Sequence, residues 1–295
     1  MENWTSLHIF CHDYSIQDQI ITELIYPVMK KMKSANDIDK WFYIRYWEGG
    51  PHIRLRILNI SKRDKARIKE IITDYIAIQK MDFQLTREKY YENHKFDGEK
   101  VSIETLPWYE NGSIHEIEYK KEYERYGGEE VIEYSENIFM KSSEIAARVV
   151  KNTMNNNPLR LSIAIDLFLV TIFLSDVPKY YFLKNYEKYW SVFKNYDENI
   201  FFSKDEELLI RKIENVETQK WKNNRTYNEW SQYANNQFYK IKKHLMESST
   251  EEKMYGILSS QLHMMNNRIG IFPEMEYWIA RSLRETMEEK RCTYL

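Results

Sequence analysis

The sequence predicts an α+β chain, with a sheet-containing N-terminal half (residues 1–128) followed by a mostly α-helical half (129–295). Three observations carry this. Short β-compatible apolar runs are confined to the first third of the chain, and from Glu129 onward apolar residues recur at helical spacing almost throughout. Only 8 glycines and 6 prolines occur in 295 residues, which leaves few tight turns and favours long helices over a many-stranded barrel.

Trp4 to Cys11 is aromatic and β-compatible, and Ser15 to Lys33 then places Ile16, Ile20, Leu24 and Val28 on one helical face. Trp41 to Trp47 and His52 to Leu58 read as strands. They are joined by Glu48-Gly49-Gly50-Pro51, whose glycines accept positive φ, so 41–58 is expected to form a hairpin. Ser61 can cap a helix running to Lys80, and Met81 to Leu85 offers a further strand. The order βαββαβ is ferredoxin-like. Residues 87–123 are polar, aromatic and irregular, with 104–112 turn-like and Ile114 to Tyr119 a candidate strand. Helices are expected over 129–152, 158–175, 178–194, 205–218, 225–247, 251–269 and 273–291, Pro158 standing at a helix start. Without an internal repeat or a Ser/Gly linker, the halves are expected to form one integrated domain. In it the helical half packs against the sheet half, with a site between them.

Composition excludes several classes. Lys plus Arg total 43 against 45 Asp plus Glu, a net charge of -2, so no global field favours a polyanion and direct nucleic-acid binding is not expected. Cys11 and Cys292 make neither a disulfide framework nor a Cys-rich metal cluster, which suits a reducing cytoplasm. No basic-then-apolar secretory signal opens the chain. The longest apolar stretch, Leu161 to Leu174, is interrupted by Asp166 and falls short of the roughly 20 residues of a span, so it reads as a buried helix and no membrane insertion is expected.

Three constellations could carry chemistry. On the second hairpin strand Ile53, Leu55 and Ile57 share one face, and His52, Arg54 and Arg56 the other. Two guanidinium groups on one surface suit an anion or oxyanion clamp, with a solvated sheet face as the alternative. Glu122-Tyr123-Glu124-Arg125-Tyr126-Gly127-Gly128 precedes a helix whose first amides favour anions, although Glu122, Glu124, Glu129 and Glu130 could instead satisfy Arg125 internally. On a later helix Leu258, Leu262, Met265 and Ile269 form an apolar stripe, with His263 at its edge and Asn267 one turn on. A histidine there is either structural or a proton carrier.

Weaker signals point elsewhere or nowhere. His8 and His12 would lie roughly 13 Å apart on one strand, too far for a shared ion, and no metal or other cofactor is expected. The cluster Lys62, Arg63, Lys65, Arg67 and Lys69 reads as a solvated helix face. The aromatic-glycine signature of an RNA-stacking sheet is absent.

Taken together, Trp41-Phe42-Tyr43-Ile44-Arg45-Tyr46, Gly50-Pro51-His52-Ile53-Arg54-Leu55-Arg56, Glu122-x-x-Arg125-Tyr126-Gly127-Gly128 and Leu262-His263-Met264 with Asn267-Arg268 resemble the C-terminal domain of lantibiotic dehydratases. That domain is found also as stand-alone thiopeptide-type bacteriocin biosynthesis proteins. The likeness runs over most of the chain and is poor at 86–113 and 176–250. It implies glutamate elimination: a Ser or Thr of a ribosomal precursor peptide, first glutamylated from glutamyl-tRNA by a separate protein, loses glutamate to leave dehydroalanine or dehydrobutyrine. The resemblance places the elimination residues at Arg54, Arg56, Arg125 and His263, with His52, Tyr126, Asn267 and Arg268 expected to bind substrate.

Because the chain opens at Met1 without an upstream glutamylation domain, the resemblance implies a split system whose partners are the precursor peptide and the glutamylating protein. Relatives of this type often work as homodimers. The stand-alone form is also used by relatives that join two dehydroalanines in a formal [4+2] cycloaddition to make a pyridine and expel the leader. A catalytically silent peptide-docking subunit, pairing through a sheet edge, is the alternative of another class.

Overall fold

The computed structural model describes residues 3–79, 85–92, 94–95, 101–194, 206–245 and 250–293. The chain divides into two compact units, Met1–Lys121 with Ser142–Asn155, and Glu122–Lys141 with Asn156–Leu295. The division is not a single cut in the chain. One long helix gives its first half to the second unit and its last half to the first.

The first unit runs β1 (Trp4–Phe10), α1 (Tyr14–Gln19), a π-helical stretch (Ile20–Ile25), α2 (Tyr26–Ser34), β2 (Lys40–Tyr46), β3 (His52–Leu58), α3 (Lys62–Ile78), the short α4 (Arg87–Tyr91) and β4 (Ile114–Glu116). Asp13 caps α1 by accepting from the amides of Ser15 and Ile16, and Ser61 caps α3 through the Asp64 amide. Among the described residues the sheet has four strands in the order β2-β3-β1-β4, each antiparallel to its neighbour, which is the ferredoxin-like order. The expected strand at 81–85 lies, apart from Leu85, outside the described residues. The strand that pairs with β1 comes from the 114–119 candidate.

Register fixes what each face of the sheet carries. Leu7, Ile9, Trp41, Tyr43, Ile53, Leu55 and Ile57 share one face and have no exposed surface, and Leu55 lines a small apolar cavity together with Leu24, Ile25, Met29, Ile68 and Ile72 of the covering helices. Arg45, on the same face, is tolerated there because its Nη2 lies 2.6 Å from Asp18 Oδ1. The opposite face carries the polar set described below. The outer edge of β2 is covered: the Tyr43 amide donates to Ser143 Oγ at 3.2 Å.

The second unit is helical. Gly127 and Gly128 have φ of +94° and +111°, and the long helix α5 (Ile132–Asn152) starts after them. α6 (Asn157–Leu174), capped by Asn156, α7 (Lys179–Trp190), α8 (Glu206–Glu217), α9 (Arg225–His244), α10 (Thr250–Ile269) and α11 (Pro273–Thr293) follow, close to the expected spans. α6 is long and apolar enough to cross a membrane by length and composition alone. Here it is a core helix: Leu167, Phe168, Leu169, Val170 and Ile172 are buried, and its Asp166 accepts from Lys212 Nζ at 2.7 Å and Tyr227 Oη at 2.8 Å.

Candidate active site

The expected residues fall into two clusters, one within each unit. On the polar face of the sheet, His52, Arg54 and Arg56 follow one another along β3. Cross-strand register sets Phe10, His8 and Ser6 of β1 beside them, and Tyr46, Ile44 and Phe42 of β2 on the other side. His115 of β4 lies opposite His8. The Arg54 guanidinium sits 3.4 Å over the Tyr46 ring, its Nε donates to His52 Nε2 at 3.1 Å, and its Nη2 is 3.7 Å from Glu48. Arg56 is 9% exposed and lies between the Tyr119 ring at 4.2 Å and the Phe42 ring at 5.4 Å.

His8 and His52 are neutral. Burial, with the charges of Arg54 and Arg56 adding to it, pushes His8 down to about 2 and His52 down to about 3. Arginine only donates, so His52 accepts at Nε2 and carries its proton on Nδ1, 2.8 Å from the Gly50 carbonyl. Burial also lowers Arg54, to about 10, which leaves it charged at neutral pH. The face therefore presents two cations beside the neutral His8 and His52. A Cβ at Gly50, whose φ is +105°, would come within 2.8 Å of His12 Nε2, so the turn that supports His52 needs glycine.

In the second unit Arg125 is the middle residue of a short 3-10 turn (Glu124–Tyr126), and Tyr126 is buried edge-on against Phe139 at 4.8 Å. Arg125 pairs with Glu122 at 3.1 Å, the internal pairing that stood as the alternative reading, and is still 38% exposed. Burial alone would lower it, but Tyr126 and Glu122 together outweigh that and raise it. Its Nε also donates to Ser260 Oγ at 3.1 Å. Ser260 lies one turn before His263 on α10, so Arg125 is tied to the helix face that carries the imidazole.

His263 is 15% exposed and its Nδ1 lies 2.7 Å from Oε1 of Glu276, a carboxylate with no exposed surface. The other oxygen of Glu276 accepts from Asn266 Nδ2 at 3.1 Å and from the Tyr186 hydroxyl. The Trp190 ring covers the imidazole with centroids 4.5 Å apart. A carboxylate held by three donors keeps the His263 proton on Nδ1, which leaves Nε2 as a base without a hydrogen bond among the described residues. Asn267 is half-buried one turn beyond, and Arg268 is fully buried 5.2 Å over the Phe139 ring.

Glu276, Ser260, Trp190, Tyr46 and His8 as a site neighbour were not singled out from the sequence. Tyr46 and His8 share the polar face with Arg54, a relation that register supplies. Glu276 is one of two acids in the first turn of α11 and looks like an ordinary helix-start carboxylate.

Residues 4–287 match the family model for the C-terminal region of the lantibiotic biosynthesis dehydratase, and the chain belongs to that family. It is 25% identical over 297 residues to the epidermin biosynthesis protein EpiB of Staphylococcus epidermidis, covering 99% of this chain and 26% of that protein. It is 27% identical over 249 residues to the nisin biosynthesis protein NisB of Lactococcus lactis subsp. lactis, covering 82% of this chain and 21% of NisB. The chain thus spans about a quarter of the length of these relatives. Among solved structures, the pyridine synthase TbtD from thiomuracin biosynthesis aligns with a TM-score of 0.73 at 13% identity, over 97% of this chain and 98% of TbtD. The tRNA-dependent lantibiotic dehydratase MibB from Microbispora sp. 107891 aligns at 0.62 and 16% identity, over 99% of this chain and 28% of MibB. At these identities the likeness is one of fold.

Proposed function

We propose that the chain eliminates glutamate from glutamylated Ser or Thr side chains of a ribosomally made precursor peptide. The observation that carries this reading is the His263–Glu276 pair, a half-buried imidazole with its tautomer set by a buried carboxylate. In the proposed step Nε2 of His263 takes the α-proton. The C–H electron pair becomes the Cα=Cβ bond, and the Cβ–O pair departs with the ester oxygen as a glutamate carboxylate. Charge that builds on the adjacent amide oxygen, and the carboxylates of the leaving glutamate, call for fixed cations. Arg54, Arg56 and Arg125 are proposed to supply them.

The fold also occurs in a pyridine synthase, so the test uses three peptides: glutamylated, bis-dehydroalanine and unmodified. Mass spectrometry of each after incubation with the purified chain is expected to show loss of glutamic acid from the first alone. Pyridine formation from the second with no change in the first would replace elimination by cycloaddition. Binding without conversion of any would leave a docking subunit.

A further inference from the structure

The resemblance assigns His52 to substrate, but its surroundings leave no room for that. The residue has no exposed surface, and both ring nitrogens are engaged within the protein: Nδ1 with the Gly50 carbonyl at 2.8 Å and Nε2 with Arg54 Nε at 3.1 Å. The ring is fixed between Phe10, with centroids 4.3 Å apart, and His8, stacked at 5.0 Å. Its anchor is equally fixed. The Gly50 amide donates to the Trp47 carbonyl at 3.1 Å, the Gly49 amide donates to Tyr91 Oη at 2.8 Å, and the Tyr109 amide donates to the Gly49 carbonyl at 2.9 Å.

We infer that His52 is a positioning residue for Arg54, the middle of a relay that runs from the Gly50 carbonyl through the imidazole to Arg54 Nε. The relay rests on the elimination reading only in that Arg54 is there part of the cationic clamp. A guanidinium has one Nε–H and a two-nitrogen Nη edge, and the edge is what forks onto a carboxylate or oxyanion. Holding Nε from inside the sheet, while the Tyr46 ring supports the plane at 3.4 Å and its side chain shares a hydrogen bond with the guanidinium, aims that edge. Glu48 at 3.7 Å is beyond hydrogen-bond length, so it steadies the charge without closing the fork. A neutral imidazole is required at this point, because an imidazolium would present a second donor to Arg54. Burial together with the neighbouring guanidinium groups keeps His52 neutral. The geometry thus assigns the histidine of the Pro-His-x-Arg run to the aim of the first arginine, and its loss should be felt in turnover more than in substrate binding.

The test compares His52→Gln, whose side-chain oxygen can still accept from Arg54, with His52→Asn, which can reach Gly50 but not Arg54, and with His52→Ala. Nitrogen-15 NMR of the full chain labelled at Arg and His reads the relay itself, and glutamate release reads its effect. The wild type should show His52 protonated on Nδ1 and a slowly exchanging Arg54 Nε–H. His52→Gln should keep that protection and most of the turnover. His52→Asn and His52→Ala should lose it, with kcat down roughly 10- to 100-fold and KM little changed. Should His52→Ala fail to fold, the Gln and Asn pair carries the comparison. Undiminished Arg54 protection in His52→Asn, or equal turnover in Asn and Gln variants, would overturn the relay. A wild type that shows the NMR signature but releases no glutamate would overturn the elimination reading and uphold the relay.

Discussion

Glu276 Oε1 lies 2.7 Å from His263 Nδ1, and the carboxylate is fully buried while the imidazole keeps 15% of its side-chain surface exposed. One partner is thereby fixed inside the protein and the other presented. Such a pair sets a tautomer, and replacing Glu276 by Gln should reverse it, since an amide can donate to Nδ1 and push the proton onto Nε2. Steady-state glutamate release is expected to fall in kcat by about 10²- to 10⁴-fold with KM little changed. A rise in KM alone would mean that the carboxylate shapes the binding surface instead.

Arg56 is held between two aromatic rings, Tyr119 at 4.2 Å and Phe42 at 5.4 Å. A planar cation suits that slot and an ammonium does not, so Arg56→Lys should behave as a loss rather than a conservative change. Glutamylated peptide should accumulate in the variant reaction, as judged by mass spectrometry. Wild-type conversion by Arg56→Lys would show that only the charge matters.

The neutral histidines of the sheet face link stability to pH. His8, lowered to about 2 in the folded chain, should sit near 6.5 when unfolded, so below 6.5 the unfolded state binds a proton that the native state refuses. Its contribution is fully present above pH 6.5 and is lost as pH falls from there toward 2, at up to about 1.4 kcal/mol per pH unit. Urea unfolding between pH 8 and 5 should give a steeper acid decline for the wild type than for His8→Gln. Parallel curves would contradict this.

Gly127 follows the Arg125-Tyr126 turn with φ +94°, and a Cβ there would come within 2.8 Å of both Ile257 Cδ1 and Val131 Cγ2. Gly127→Ala should therefore destabilise by more than about 1 kcal/mol and loosen the Arg125 turn. Thermal melting checks the first effect. An unchanged melting temperature would show that the neighbouring side chains give way at no cost.

Much of this was legible in the sequence, for identifiable reasons. Period-two alternation alone placed Arg54 and Arg56 on one face and Leu55 on the other, because a half-buried strand admits only one register. The long helices followed from their spacing, with Pro158 and Asn156 marking the start of α6. What the sequence hid depends on tertiary contact. Ser260 meets Arg125 across 135 positions, and Glu276 reaches His263 from the next helix, so neither carries a local signal. β4 was legible as a candidate over 114–119, but only Ile114–Glu116 forms the strand, too short for its alternation to mark where it ends.

The central claim is that His263 removes the α-proton of a glutamylated residue. The most direct measurement is single-turnover glutamate release from a peptide carrying one glutamylated serine, with hydrogen or deuterium at Cα, by the wild type and by His263→Ala. Slower release from the deuterated peptide by the wild type, and intact glutamylated peptide with His263→Ala, is the predicted result. Undiminished release by the His263→Ala variant would contradict the account.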